Sequence, residues 1–257
     1  MDAPSLSEVA DRLRAAGCVF AEDEAALLLS AASDAEELDR LIVDREAGRP
    51  LEQIVGWADF CGLRVVVEPG VFVPRRRTEL LARIARSTAG PGSIVVDLCC
   101  GTGALGAAVL DAVPRAVVYA SDVDPAAVHC ARRNLPAERV LEGDLYAPLP
   151  PSLRGRVDVV AVNAPYVPSE AVALMPPEAR DHEHLVALDG GADGLDVHRR
   201  VVRGAGEWLA PGGVLLIEAS RAQAPVTAGL MGAVGLEARI EHDDDIGGTC
   251  VIGRRPR

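Results

Sequence analysis

The chain has 257 residues, 26 basic against 38 acidic side chains for a net charge of −12, and 49% apolar residues. That length allows one large domain, or a standard domain with a small appendage, and the apolar share suffices for a substantial core. The acidic balance argues against broad binding to nucleic acid, which takes a basic face. With no run near the ~18 apolar residues of a membrane helix and no basic-then-apolar leader, a soluble, cytoplasmic protein without a membrane partner is expected. All the basic residues are Arg. Cys18, Cys61, Cys99, Cys100, Cys130 and Cys250 form no Cys-x-x-Cys pair and suit buried thiols in a reducing compartment.

Residues 1–50 read as helices. Leu6, Val9 and Leu13 recur at helical spacing, as do Ala25, Leu28 and Leu29, and then Leu38, Leu41 and Ile42. Ser7 is the expected cap of the first helix and Ser33 or Asp34 of the third, with Gly17 and Gly48 as stops. From Met1 to Val73, 6 Arg face 15 Asp and Glu. That excess is either a solvated helical face or a module that docks a partner protein. Residues 51–73 read as a hairpin linker, Gln53–Gly56 followed by Phe60–Val67, with Gly62 near the turn. Pro74-Arg75-Arg76-Arg77-Thr78-Glu79-Leu80 then opens a helix near Thr78. The three arginines are either a solvated run or place one guanidinium against a carboxylate of a ligand or partner.

Residues 74–257 alternate strand and helix around Ser93–Leu105. There Ile94–Asp97 is a buried parallel strand, Cys99–Gly103 a tight turn, and the Ala- and Leu-rich stretch beyond it a helix. Strand, glycine turn and helix present a nucleotide-sized pocket at the carboxyl edge of a doubly wound α/β sheet. Further strands are expected at 116–121, 139–142, 157–162, 214–218, 236–242 and 249–253, the last two antiparallel. Helices are expected at 125–135, 195–209 and 222–234, with Pro211-Gly212-Gly213 as a turn. Four successive strands end in a polar residue at one edge: Asp97, Asp122, Asp144 and Asn163.

Asp122, some twenty residues after the glycine turn, suits the vicinal hydroxyls of a ribose, while Asp124 before Pro125 is the better helix cap. Asp144 is placed to accept from an exocyclic amine such as that of adenine, or is a turn residue. No Gly-x-x-x-x-Gly-Lys-Ser/Thr cradle occurs, so the ligand is expected to be a nucleoside without a polyphosphate. In Asn163-Ala164-Pro165-Tyr166 a carboxamide oxygen and a neighbouring carbonyl can accept both hydrogens of a planar NH2 group, with the Tyr ring stacked beside it. That is catalysis by positioning. Its bland alternative is a strand end followed by a proline turn. His182-Glu183-His184 lacks a third ligand for a metal, and Asp243-Asp244-Asp245 reads as a hairpin turn.

Together DLCCGTGALG, the acidic residue of SDVDP, GDLY and the Asn-Ala-Pro-Tyr loop resemble methyltransferases that use S-adenosylmethionine (AdoMet) and act on planar amine or amide nitrogens. Within that group the match is best to the release factor glutamine N5-methyltransferases of the HemK/PrmC type, over about residues 45–255. GRPLEQIVGWADFCGLRVVVEPGVFVPRRRTELL resembles their hairpin linker and Pro-Arg-x-x-Thr-Glu motif. LVALDGGADGLDVHRRVV and LLIEAS resemble the loop, helix and strand that follow the catalytic tetrapeptide.

The resemblance implies a Rossmann-like, seven-stranded AdoMet-dependent methyltransferase domain behind a small helical substrate-docking domain and a hairpin linker. It implies AdoMet on Asp97, Cys99, Gly101, Thr102 and Gly103, ribose on Asp122 beside Val123, and adenine near Asp144 and Leu145. Arg75, Thr78 and Asn163 complete that set, and S-adenosyl-L-homocysteine is the product. Asn163 and the carbonyl of Ala164 would hold the acceptor amide, with Pro165 stiffening the loop and Tyr166 packed beside it. The implied partner is a protein substrate, a peptide chain release factor first. The chain departs from the family pattern at Cys99 (Gly), Arg77 (Asp), Ala164 (Pro) and His184 (Pro), and its N-terminal helices are shorter. Two rival readings remain: an N-methyltransferase of a small molecule or other planar nitrogen, and a non-catalytic AdoMet-binding module.

Overall fold

The computed structural model describes residues 4–257. Its first part is three helices, α1 (Leu6–Ala15), α2 (Ala21–Ala31) and α3 (Ala35–Glu46), closed around Val9, Leu13, Ala25, Leu28, Leu38 and Ile42. The cap of α1 is Ser5, not Ser7. Ser5 Oγ accepts from the Glu8 N–H at 3.3 Å, and Glu8 Oε2 accepts from the Ser5 N–H at 2.7 Å. Only Ser5 has a Glu three positions on, so only it can close this reciprocal box. Asp34 caps α3 as expected.

A second expectation fails at 53–55, which lie in a short helix, α4 (Leu51–Val55), rather than in a strand. Pro50 starts it, and Gly56, at φ +83°, ends it by donating to Glu52 O. The hairpin proper is β1 (Trp57–Phe60) with β2 (Leu63–Val66). Phe60 and Val65 pack on Ala82, Ala104 and Ala108, which seats the hairpin on the next two helices.

Those are α5 (Glu79–Thr88) and α6 (Ala104–Ala112), separated by β3 (Ile94–Leu98). There follow β4 (Val117–Asp122), α7 (Pro125–Ala131), β5 (Val140–Glu142), β6 (Val157–Val162), and two short helices, α8 (Ser169–Val172) and α9 (Pro177–His182). The chain ends with α10 (Asp196–Trp208), β7 (Leu209–Glu218), α11 (Ala224–Ala233), β8 (Glu237–Asp243) and β9 (Gly248–Arg254). Pro211-Gly212-Gly213 lies inside β7 as a bulge: pairing jumps from Val157–Leu209 to Val159–Val214.

The sheet order is β5-β4-β3-β6-β7-β9-β8, with only β9 antiparallel to its neighbours. Side chains alternate across it. Val96, Leu98, Val160 and Ile217 pack with Val201 and Trp208 of α10 and Met231 of α11. Val95, Val159, Ala161 and Leu216 pack with Leu81 of α5 and Leu105 and Val109 of α6. Both faces are therefore dry, which is why these strands are continuous apolar runs. The chain leaves β3 for β4 on one side and β6 on the other, so a crevice opens at the carboxyl ends of those strands.

The helical part is tied to the sheet through α9. Arg45 of α3 is buried, with Nε 2.6 Å from Glu24 Oε2 and Nη1 2.6 Å from Glu178 Oε1. Gln53 Nε2 donates to Val71 O at 3.1 Å and to His182 O at 3.2 Å. Among the described residues, no helix is long and apolar enough to cross a membrane.

Candidate active site

The crevice is a cavity of about 490 Å³, the size of a small-ligand site. All of the residues expected at the site line it except Arg75 and Gly103. Gly103 packs beneath the turn, where a Cβ would come 2.9 Å from Leu135 Cδ1, so a glycine at φ +76° is required there. Arg75 is held by Glu183, at 2.6 Å from Oε1, and stacks 5.0 Å from the Phe72 ring. Glu183 also accepts from the Val73 N–H at 3.0 Å, so this buried carboxylate captures the guanidinium. It is Phe72 that reaches the wall.

At one end of the cavity, Asp122 holds the turn. Its Oδ2 accepts from the Gly101 N–H at 2.9 Å and its Oδ1 from the Asp124 N–H at 3.0 Å. Cys99, where a glycine was expected, adopts φ +55°, a left-handed conformation open to other residues at some cost. Asn134 locks the far side of the turn, donating to Thr102 O and Val66 O at 2.9 Å each while accepting from the Val66 N–H. Burial pushes the Asp97 carboxyl up to about 8 against the opposing Gly106 N–H, with the Asp122 charge adding to the rise. Burial likewise raises Asp122. Asp144 lines the cavity, but its carboxylate is paired with Arg200, a wall residue that the reading of single motifs passed over.

At the other end Asn163 Nδ2 donates to Thr78 Oγ1 at 3.3 Å, which leaves Oδ1 free to accept. The Tyr166 hydroxyl donates to Glu218 Oε1 at 3.1 Å, and Arg77 Nε donates to the same oxygen at 3.3 Å. The Arg77 guanidinium lies 5.9 Å from the centre of the Tyr166 ring. Glu218 is 2% exposed, and burial raises its carboxyl above the usual range against the Thr78 hydroxyl, Arg77 and Tyr166. As the polar last residue of β7 it repeats the pattern of the other strand ends, which is the signal that could have found it.

The tetrapeptide is braced from behind by the glycine-rich loop 189–194. Val167 N–H donates to Leu188 O at 3.1 Å, Gly190 N–H to Val167 O at 2.8 Å, and Gln223 Nε2 to Tyr166 O at 2.9 Å. Cβ atoms at Gly190 and Gly194 would meet Pro165 O at 2.7 Å and Tyr166 O at 2.3 Å. Only glycine lets the two backbones approach this closely. These bonds fix the chain at Tyr166 and Val167, at the end of the tetrapeptide.

Of the curated relatives, a release factor glutamine methyltransferase from Geobacter sulfurreducens is 36% identical over 221 residues, spanning 84% of this chain and 76% of that one. This chain belongs to the release factor glutamine methyltransferase family. The model of the Methyltransferase small domain matches residues 62–175. A family relative of different name, a 4-amino-L-phenylalanine/4-methylamino-L-phenylalanine methyltransferase from Streptomyces pristinaespiralis, is 38% identical over 72% of this chain and 66% of its own. The fold is that of a methyltransferase from Pyrococcus furiosus, with a TM-score of 0.55 and 18% identity over 77% of this chain and 91% of that one. The chain is thus a methyltransferase with the Rossmann-like sheet of its family.

Proposed function

We propose that this enzyme transfers a methyl group from AdoMet to the side-chain amide nitrogen of a glutamine in a protein, the release factor Gly-Gly-Gln loop first. The observation that carries this reading is the Asn163 carboxamide, turned by Thr78 so that its oxygen is left to accept an N–H at the cavity wall. The cavity suits AdoMet in the chemistry of its donors and acceptors. A half-buried Asp122 at a strand end offers oxygens to a ribose, and Gly101, left-handed and without a Cβ, leaves the turn open to a close ligand. AdoMet, when bound, supplies a methyl group on a sulfonium, and S-adenosyl-L-homocysteine remains.

The protein's own contribution is positioning. An amide nitrogen is a poor nucleophile because its lone pair is delocalised. Asn163 Oδ1 and the Ala164 carbonyl would accept its two hydrogens, fix the plane of the NH2 group and aim the lone pair out of that plane. Tyr166, held by Glu218, packs against the amide and excludes water. Near-attack placement of this kind is worth on the order of several kcal/mol. The amide proton leaves after methyl transfer has made it acidic, so no strong base has to be found in the site.

We assign Asp97, Cys99, Gly101, Thr102, Asp122, Val123, Asp144 and Leu145 to AdoMet, and Thr78, Asn163, Ala164, Pro165 and Tyr166 to the acceptor seat. Residues 1–50 would dock the protein substrate, 51–73 link, and 74–257 carry the chemistry, in the cytoplasm where release factors act. The test is transfer of labelled methyl from AdoMet to purified release factors of the same organism. The native factor should take up label; a factor with Ala in place of the Gly-Gly-Gln glutamine, or an Asn163→Ala enzyme, should not. Absence of label in a preparation that binds AdoMet would refute the release factor reading. The relative that acts on 4-amino-L-phenylalanine favours a second reading, a planar amine on a small amino acid. That amine belongs in the same assay.

A further inference from the structure

Arg77 stands where the family pattern has Asp, and its surroundings give that change a direction. Two cations line the cavity, Arg77 and Arg200. Arg200 is tied to Asp144 on the nucleoside side. Arg77 is on the acceptor side, since its neighbour Thr78 bonds Asn163 and its guanidinium packs against the Tyr166 ring.

Its hydrogen bond to protein runs through Nε, to the buried Oε1 of Glu218. Among the described residues, neither Nη nitrogen donates a hydrogen bond, and the side chain is 46% exposed. A guanidinium anchored at Nε and lying 5.9 Å from the centre of an aromatic ring has lost part of its rotamer freedom before any ligand arrives. Its outer edge of N–H groups matches a carboxylate geometrically. Were charge compensation of Glu218 the whole role, the outer edge would stay in water and acceptor charge would not matter.

We propose that Arg77 is a specificity-determining residue, presented by Glu218 and Tyr166 to an anionic group that the acceptor carries next to its methylated nitrogen. The inference rests on the acceptor seat proposed above and narrows its substrates to acidic contexts. In a protein this means a Glu, Asp or terminal carboxylate beside the glutamine. In a small molecule it means a carboxylate on the same scaffold as the amine.

The test uses the full-length enzyme and two synthetic heptapeptides centred on Gly-Gly-Gln, differing only in Glu or Gln after the methylated residue. One charge-assisted pair predicts kcat/KM about tenfold higher for the Glu peptide. Arg77→Met should bring the ratio to about one, with Arg77→Lys between the two. AdoMet calorimetry on each variant shows that it has folded. Equal kcat/KM in the wild type, or a preference that persists in Arg77→Met, overturns the proposal. Where neither peptide is methylated, the pair is read as ligands of the enzyme loaded with S-adenosyl-L-homocysteine. The same tenfold ratio in Kd supports the assignment of Arg77 while the glutamine reading falls. Equal affinity, or no binding of either peptide, overturns the assignment itself.

Discussion

Thr78→Val separates orientation of the seat from its presence. The replacement keeps the shape of a side chain that is 5% exposed and removes one hydroxyl, the acceptor of the Asn163 Nδ2 bond. At 3.3 Å between neutral partners this bond is a long one, worth about 0.5–1 kcal/mol net. That energy is the bias that keeps the carboxamide oxygen, rather than the nitrogen, available to the acceptor. Losing it leaves the two orientations equally populated, where the bond had held about 70–85% correctly turned. Acceptor kcat/KM should therefore fall about 1.4- to 1.7-fold. Asn163→Ala, which removes the seat itself, should cost about 10²–10³ in kcat, as loss of a preorganised polar group does. Steady-state methyl transfer read against calorimetric AdoMet affinity makes the comparison, with affinity within about twofold in both variants. Full acceptor kcat/KM in Thr78→Val, or an AdoMet Kd that weakens in step with it, would show that Thr78 does not orient Asn163.

Asp122→Ala should weaken AdoMet binding by at least about tenfold, the worth of one hydrogen bond to a charged group. Calorimetry reads it, and an unchanged Kd would remove ribose from that carboxylate. Asp97, held up to about 8 by burial, is largely neutral at pH 7. Cationic AdoMet favours its charged form, so binding should release a proton and strengthen as pH rises from 6 to 8. Titrations in two buffers of different ionisation enthalpy measure that release, and identical apparent enthalpies would contradict it. His198 is fully buried on α10, bonded through Nδ1 to Thr227 Oγ1 at 2.9 Å, and burial lowers its pKa to about 4. The unfolded chain takes up this proton first, so its contribution is present above about pH 6.5 and lost as pH falls towards 4, roughly 3 kcal/mol across the window. Urea unfolding at pH 5 and 7.5 should show His198→Gln with a flatter pH dependence than the wild type. An equal slope in both proteins counts against the assignment.

Much of this architecture is legible along the chain because its signals are local. Apolar runs bounded by polar residues mark β3, β4 and β6, and Asp34 and Asp124 cap the helices they precede. The errors come where local signals compete. Gln53–Val55 is too short for periodicity to separate helix from strand, and the bracketing Pro50 and Gly56 decide it. Pro211-Gly212-Gly213 has turn composition, yet its neighbours in β6 absorb it as a bulge. What cannot be read locally is coupling. Thr78 and Asn163 are 85 residues apart, and Arg77 and Glu218 are 141 apart.

That distance bears on how departures from a family pattern are weighed. Taken singly, Arg77 and Ala164 look like erosion of a motif. In the folded chain each has a partner. Arg77 meets the buried carboxylate of Glu218, and Gln223 and the glycine-rich segment hold the chain just after Ala164 and Pro165. Both substituted residues are built into the walls of the seat. What Arg77 brings to the seat is a positive charge beside Asn163. A change of that kind is expected to spare methyl transfer and to move the choice of acceptor, which the paired peptides measure.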